Sequence, residues 1–353
     1  MRAGAEGEPT PPEVPGFSVV IPTYRRRASL QRVLGGLAAQ EWPGDRLEVI
    51  VVSDGGGDGS VEMARSFPMP FPARVVEQAN QGPAAARNRG FAGARHAFTL
   101  FLDDDVVPHP RLVAEHARAH ADAGNRVVIG PMLEATGRLL PWVRWEARML
   151  AEQYRAMEAG EFRPTPWQFY TGNASVGTRH LRRAGGFDTS WKRAEDIELG
   201  FRLKDLGCEF VFNPAAGGIH HATRSYRSWL DAARQYGRND ILFGKADERV
   251  AGEFSFRHPL TRALIRWGLC HRWAAALVPA PAEAVIRAAD LLRLGRLASH
   301  LCGADFNLAY WLGVADQLGS ARAALELADL GSPGGRLSRA RSTLPIGPRD
   351  GGP

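Results

Sequence analysis

The chain has 353 residues, of which 44% are apolar and 23% charged, ordinary usage for a folded protein. This excludes a largely disordered polymer, a collagen-like repeat and a disulfide-stapled miniprotein, and the length predicts two domains or one large α/β domain with additions. The formal charge is +6, and only three of the 44 basic residues are lysines (Lys192, Lys204, Lys245). Such an excess permits nucleotides, nucleic acid or an anionic membrane surface as partners without choosing among them.

Three cysteines, Cys208, Cys270 and Cys302, lie far apart with no CxxC pair. That spacing argues against a disulfide framework or a zinc site and fits a reducing cytosol. No apolar h-region opens the chain, and no window of 18 residues is free of charge, so the reading is a soluble chain without a secretory signal or transmembrane helix. Residues 1–16, with four prolines, read as a disordered leader.

From Phe17 the pattern alternates. FSVVIP (17–22), LEVIVVS (47–53), ARVVEQ (73–78) and FTLFL (98–102) are apolar runs that read as strands, the first buried on both faces and the fourth also buried. Helical periodicity lies between them at 28–40, 60–66 and 82–95, the last opened by Gly82-Pro83. Four β-α repeats predict a mostly parallel, Rossmann-like sheet flanked by helices. Residues 124–172 read as irregular and aromatic-rich. NASVGT (173–178) reads as a strand at the sheet edge, followed by helices at 178–184 and 195–207 and a strand at 209–213. Beyond His221 helices are predicted at 225–243, 258–277, 283–302 and 304–328, and the Gly-, Pro-, Ser- and Arg-rich residues 331–353 as a disordered tail. The predicted domains are therefore 17–221 and a helical extension, 222–330.

Chemistry concentrates at the ends of these elements. LFLDDDVVP places Asp103, Asp104 and Asp105 at the carboxyl end of a buried strand, where ligands bind in open α/β sheets. Three adjacent carboxylates there repel one another unless something cationic sits among them. Oxygen ligands suit Mg2+ or Mn2+ sharing a diphosphate, with Asp103 and Asp105 on similar sides and Asp104 on the other. Against this stands a plain solvated acidic turn. In VVSDGGGDGS, Asp54 ends the second strand, able to hold a base or ribose or simply to cap a helix; the glycines do not match the dinucleotide fingerprint. In NQGPAAARNRG, Arg87 near the helix start can meet a phosphate, pack on a base or stay solvated. In RAEDIELGFRLKDLG, Glu195 and Asp196 open a helix, where either can cap it or serve as general base. His220 and His221 follow the next strand, where a neutral imidazole can complete a metal shell.

In this order, FSVVIPTYRR, VVSDGGGDGS, NQGPAAARNRG, FLDDDVVP, TGNASVGTRHLRRAGGFD and EDIELGFRLKDLG resemble glycosyltransferase family 2, of GT-A fold, over about residues 17–221. The resemblance implies a metal-dependent (Mg2+ or Mn2+) transferase that inverts the anomeric carbon of a nucleotide-diphosphate sugar (UDP-, GDP- or dTDP-linked). By that resemblance Pro22, Thr23 and Arg25 line the nucleotide pocket, and Asp54 holds the base with Arg87 in support. Asp103 reaches ribose or metal, Asp104 lies in the same nucleotide site, and Asp105 binds metal and diphosphate. Asp196 is the preferred base with Glu195 as the alternative, and His220 or His221 stands where some relatives offer a metal ligand.

The family's DDGS motif is SDGGG here. Polymer-making members carry QxxRW beside transmembrane helices; Gln235-Tyr236-Gly237-Arg238-Asn239 departs from that, which predicts a non-processive enzyme. The acceptor is expected to be a saccharide, lipid-linked or small-molecule hydroxyl, and nucleic acid is not expected as a partner. An inactive sugar-nucleotide-binding or membrane scaffold protein is the rival from another class; it would carry a damaged site, whereas the DDD and ED sequences are intact. Residues 1–221 hold 26 basic and 26 acidic residues and residues 222–353 hold 18 and 12, so the whole surplus lies in the extension and tail. That predicts a cytoplasmic protein, peripheral on the inner face of an anionic membrane.

Overall fold

A computed structural model describes residues 14–121, 123–191, 193–246, 259–272 and 279–330. Most of the expected leader, the whole expected tail and the end of the expected 258–277 helix lie outside the described residues. The chain divides into two compact units, one running to Leu133 and resuming at Tyr154–His221, the other formed by Glu134–Gln153 and the residues after His221. The stretch 134–153, kept inside the first domain by the sequence reading, belongs instead to the second unit.

The first unit is built on a seven-stranded sheet. Its early elements are β1 (Phe17–Thr23), α1 (Arg27–Ala38), β2 (Leu47–Ser53), α2 (Ser60–Ser66), β3 (Ala73–Glu77), α3 (Pro83–Ala92) and β4 (Phe98–Leu102). After them come β5 (Val106–Pro108), α4 (Leu112–His120), β6 (Arg126–Ile129), β7 (Met132–Glu134) and α5 (Pro141–Glu158). The last are β8 (Asn173–Gly177), α6 (Thr178–Arg183), α7 (Glu195–Asp205), β9 (Glu209–Phe212) and β10 (Gly218–His220). The strand order is β3-β2-β1-β4-β8-β6-β9, with β1, β2, β3 and β4 mutually parallel; β5, β10 and β7 form a second, three-stranded sheet.

Period two in the strands gives this sheet two cores. Phe17, Val19 and Ile21 of β1 point to one face with Leu30, Val33 and Leu34 of α1. Val20, Ile50 and Val52 point to the other face with Ala84, Ala86 and Phe91 of α3. Gly90 lets α3 lie close on the sheet, since a Cβ there would stand 2.3 Å from Val20 Cγ1.

Two expectations are corrected. The strand at 173–178 is not an edge strand: β8 runs antiparallel between β4 and β6. All five of its residues are buried, and on the face toward helix α4 both His116 and His120 reach the Ser175 hydroxyl at 2.8 Å. The supposedly irregular 124–172 contains β6, β7 and the 18-residue α5.

The second unit is helical. α8 (Tyr226–Ala246), α9 (Pro259–Cys270) and helices at Pro279–Leu291, Gly295–Leu318 and Ala321–Leu330 are joined by the part of α5 before Tyr154. The expected helix 283–302 is broken at 292–294, and the next ends at Gly319 in a left-handed cap. Trp142, Trp229 and Ile286 form one buried cluster; Ile241, Leu269, Trp311 and Val314 form another. α8 and the helix Gly295–Leu318 touch backbone to backbone: a Cβ on Gly237 would fall 2.0 Å from the Tyr310 carbonyl oxygen and one on Gly313 1.9 Å from that of Arg234. Neither carbonyl can step aside as a side chain does, so Gly313→Ala is expected to destabilise the chain by about 2–3 kcal/mol, read as a lowered urea midpoint, with Gly295→Ala as the exposed control left unchanged.

Candidate active site

Between β1 and β4 the strand order reverses, and β4 delivers Asp103–Asp105 to its carboxyl end at that point. Asp103, Asp104 and Asp105 lie in a tight turn, closed by Val106 N–H donating to the Asp103 carbonyl at 3.1 Å, and it is Asp104 and Asp105 that turn to one side. The expected alternation therefore fails. Asp104 and Asp105 are buried and share Arg26, whereas Asp103 is partly exposed and reaches the other way, to Arg87.

Arg26 donates to Asp104 Oδ1 at 3.3 Å and makes a short ion pair with Asp105 Oδ2. Thr23, at the end of β1, donates its hydroxyl to Asp104 Oδ2 at 2.7 Å. Burial pushes the Asp104 carboxyl up to about 7. Asp105 is equally buried, yet His220 and then Arg26 overcome the cost of burial and hold its carboxyl below the usual range. The pairing of β10 with β5 sets His220 opposite Val106, which brings its Nε2 to 3.4 Å from Asp105 Oδ1. His221 gives its backbone N–H to the Asp105 carbonyl at 2.8 Å.

Arg87 is the second cation. It is 6% exposed, lies over the Phe187 ring at 5.8 Å, and donates to Asp103 Oδ1 at 2.8 Å and Glu195 Oε1 at 2.9 Å. Its Nε is buried without a hydrogen-bond partner. One guanidinium from α3 thus ties the end of β4 to the start of α7. The donors to Asp196 beside it are backbone N–H groups, of Ile197 at 2.9 Å and of Thr171. Burial and the neighbouring Glu195 push the Asp196 carboxyl up to about 7, outweighing Arg87.

The remaining sequence-predicted residues divide. Asp54 is buried and accepts from Gln78 Nε2, Gln81 N–H and Gly82 N–H, each at 2.8 Å, so its oxygens tie β2 to the loop before α3. Arg25 is exposed, stacks over the Tyr24 ring at 5.2 Å and has φ 53°. Pro22 is half-buried in β1 opposite Val52. Arg238 lies in the other unit, where it shares Asp316 with Arg234 and Arg272.

Arg26 is the residue that sequence reasoning missed. Within TYRRR nothing in composition separates it from Arg25; only the left-handed turn at Arg25 sends one guanidinium outward and the next onto the aspartates. Asn173, also missed, accepts from His116 Nε2 at 3.0 Å through its Oδ1 and donates its Nδ2 to the Pro131 and Ala216 carbonyls.

Of the metal candidates Asp105, Asp103 and either His220 or His221, the structure sets His220 beside Asp105; among the described residues no group of three or more His, Cys, Asp and Glu is placed to hold a metal ion. Asp105 with His220 is the pair whose donor chemistry fits a divalent ion that takes its other ligands from a diphosphate and water. Removing Arg87 would strand the buried Glu195, so Arg87→Met is expected to cost about 3–5 kcal/mol by urea unfolding, and the Arg87→Met/Glu195→Gln double variant to recover part of that loss.

Residues 18–184 match the model of glycosyl transferase family 2. Over 233 residues the chain is 37% identical to the glycosyltransferase AglE of Haloferax volcanii, covering 65% of this chain and 74% of that protein. It is 34% identical to validoxylamine A glucosyltransferase of Streptomyces hygroscopicus subsp. limoneus over 58% of its own length and 51% of the relative's. It thus spans about half the length of the first curated relatives it matches. The fold is shared with a mannosyltransferase of Pyrobaculum calidifontis solved with GDP-Man and Mn2+, at TM-score 0.58 and 21% identity over 88% of this chain and 90% of that one. It is shared too with S. aureus TarS 1–349 solved with UDP, at TM-score 0.51 and 19% identity over 86% and 92%.

Proposed function

The chain belongs to glycosyl transferase family 2, and from that premise we propose that it is a non-processive, inverting transferase moving a sugar from a nucleotide-diphosphate sugar to an acceptor hydroxyl. The observation that carries the reading is the arrangement at Arg87. This buried guanidinium occupies Glu195 and Asp103 and leaves Asp196, at the mouth of α7, with backbone donors. A carboxyl held near 7 in such a place can take a proton from an attacking hydroxyl at physiological pH. Glu195, bound to Arg87, instead positions that arginine.

Thr23, Arg25 and Pro22, at the end of β1, are assigned to the nucleotide pocket beside Asp54. Asp54 shapes that pocket by fixing the 78–82 loop, and Asp104, tied to Thr23, belongs to the same wall. Asp105 and His220 would hold Mg2+ or Mn2+, with Asp103 facing the ribose; a divalent ion there supplies charge neutralisation for the departing diphosphate. Arg26 already neutralises Asp104 and Asp105, lowering the cost of bringing an anionic donor to this end of the sheet. Carboxylates are weak bases, so positioning of the acceptor supplies much of the rate. The GDP-Man, Mn2+ and UDP of the two structural neighbours support a nucleotide-sugar donor. The acceptor is proposed to be a saccharide, lipid-linked or small-molecule hydroxyl. The basic surplus after His221 supports work at the inner face of an anionic membrane, and none of the described helices is long and apolar enough to cross one.

A panel of UDP-, GDP- and dTDP-sugars with Mn2+ tests the assignment. Asp196→Asn is expected to lower turnover by roughly 10²-fold or more while nucleotide binding persists, and Glu195→Gln to retain more activity. Full turnover by Asp196→Asn removes it as the base. Because only ionised Asp196 accepts a proton, kcat/KM is expected to rise about tenfold per pH unit below about 7 and level off above it. A profile flat from acid to neutral pH contradicts that role.

A further inference from the structure

The corner joining the helices Pro279–Leu291 and Gly295–Leu318 reads Leu291-Leu292-Arg293-Leu294-Gly295-Arg296-Leu297, and all seven residues are exposed. Leu291 is 68% exposed, Leu292 71%, Leu294 48% and Leu297 48%. Val285, in the helix that leads into the corner, is 53% exposed. These five are the most exposed large apolar side chains among the described residues. Scattered exposed leucines need no explanation; a contiguous set marks a contact surface.

The corner is also basic. No acid occurs between Asp290 and Asp305. Asp290 is paired with Arg144 and Glu283 with Arg287, so the nearest acids are engaged. The backbone fixes the presentation: Leu294 N–H donates to the Ala289 carbonyl at 2.8 Å and Arg293 N–H to that of Asp290 at 3.0 Å. That closure puts its penultimate residue in the left-handed region, a place for glycine, yet the residue is Arg293, at φ 60°. The other left-handed non-glycine residues among those described, Arg25 and Ala194, flank the candidate active site.

We propose that this corner is a membrane-docking tip: its leucines enter the headgroup–acyl boundary of an anionic bilayer while Arg293 and Arg296 meet the lipid phosphates. The inference rests on the peripheral-enzyme reading above and names the surface that makes the contact. A bilayer fits better than a second copy of the chain. Four leucines cover no more than a few hundred Å2, against the ~800 Å2 per partner of a stable protein interface. A two-fold contact through the tip would also set its arginines against their own copies.

The test is sedimentation of the full chain with vesicles of phosphatidylcholine containing phosphatidylglycerol, beside vesicles of phosphatidylcholine alone. The intact chain is expected to bind the anionic vesicles, less so at high salt. Leu291→Ser/Leu292→Ser is expected to weaken binding by more than about tenfold with an unchanged Tm, both side chains being exposed. Arg293→Gly is expected to weaken it by about five-fold while raising the Tm, because glycine relieves the left-handed backbone; a merely structural arginine would move the Tm alone. Absence of binding by the intact chain overturns the proposal, as does full binding by Leu291→Ser/Leu292→Ser. A concentration-dependent dimer that this double variant abolishes overturns it in favour of self-association. Nucleotide-sugar turnover in solution reads the enzyme assignment separately: vesicle binding without turnover leaves the docking tip standing and removes the transferase reading.

Discussion

Three consecutive aspartates at the end of a strand whose last four residues are buried are the constraint around which the first unit is organised. Uncompensated, Asp104 and Asp105 would have to be buried as mutually repelling charges, which costs several kcal/mol per ion. The chain answers with two guanidinium groups placed on opposite sides of the turn: Arg26 from the start of α1 on Asp104 and Asp105, and Arg87 from α3 on Asp103. Arg87 carries the compensation on to Glu195, so the ED pair at the start of α7 is positioned by the same electrostatic requirement that keeps the aspartates in place.

Several local features follow from that requirement. The left-handed residue Arg25 turns the chain so that Arg26 points back over the sheet, and Ala194, also left-handed, turns it so that Glu195 meets Arg87. Such conformations are costly for non-glycine residues and persist where surrounding contacts over-determine them. The short pairing of β10 with β5 serves the same end, since its register sets His220 beside Asp105. Charges fixed in this way act without reorganising when charge develops, the condition for electrostatic catalysis.

Much of this was legible in the sequence. The alternating apolar runs located β1 through β4 and their helices, and the motif order identified the family that the match over 18–184 bears out. What stayed hidden depends on long-range contact. NASVG looks like an edge strand by position, and only its burial against α4 and the pairing with β4 and β6 make it central. α5 was masked by scattered aromatics whose helical spacing is clear once Trp142 and Tyr154 are seen buried. The division of labour among the aspartates was misread because it is set by two distant arginines, Arg26 on Asp104 and Asp105 and Arg87 on Asp103, and Arg26 could not be told from Arg25 without the backbone angle between them. The charge surplus after His221 was legible as a number, but the exposed leucines beside Arg293 and Arg296 were not.

The central claim is that Asp105, backed by Arg26 and His220, anchors the diphosphate end of the donor. Calorimetric titration of UDP and GDP into the intact chain and into Asp105→Asn, each with and without Mn2+, tests it most directly. The account predicts that at least one nucleotide binds, that Mn2+ tightens it, and that Asp105→Asn abolishes the tightening while the fold persists. Nucleotide binding with an undiminished Mn2+ response in Asp105→Asn would contradict it.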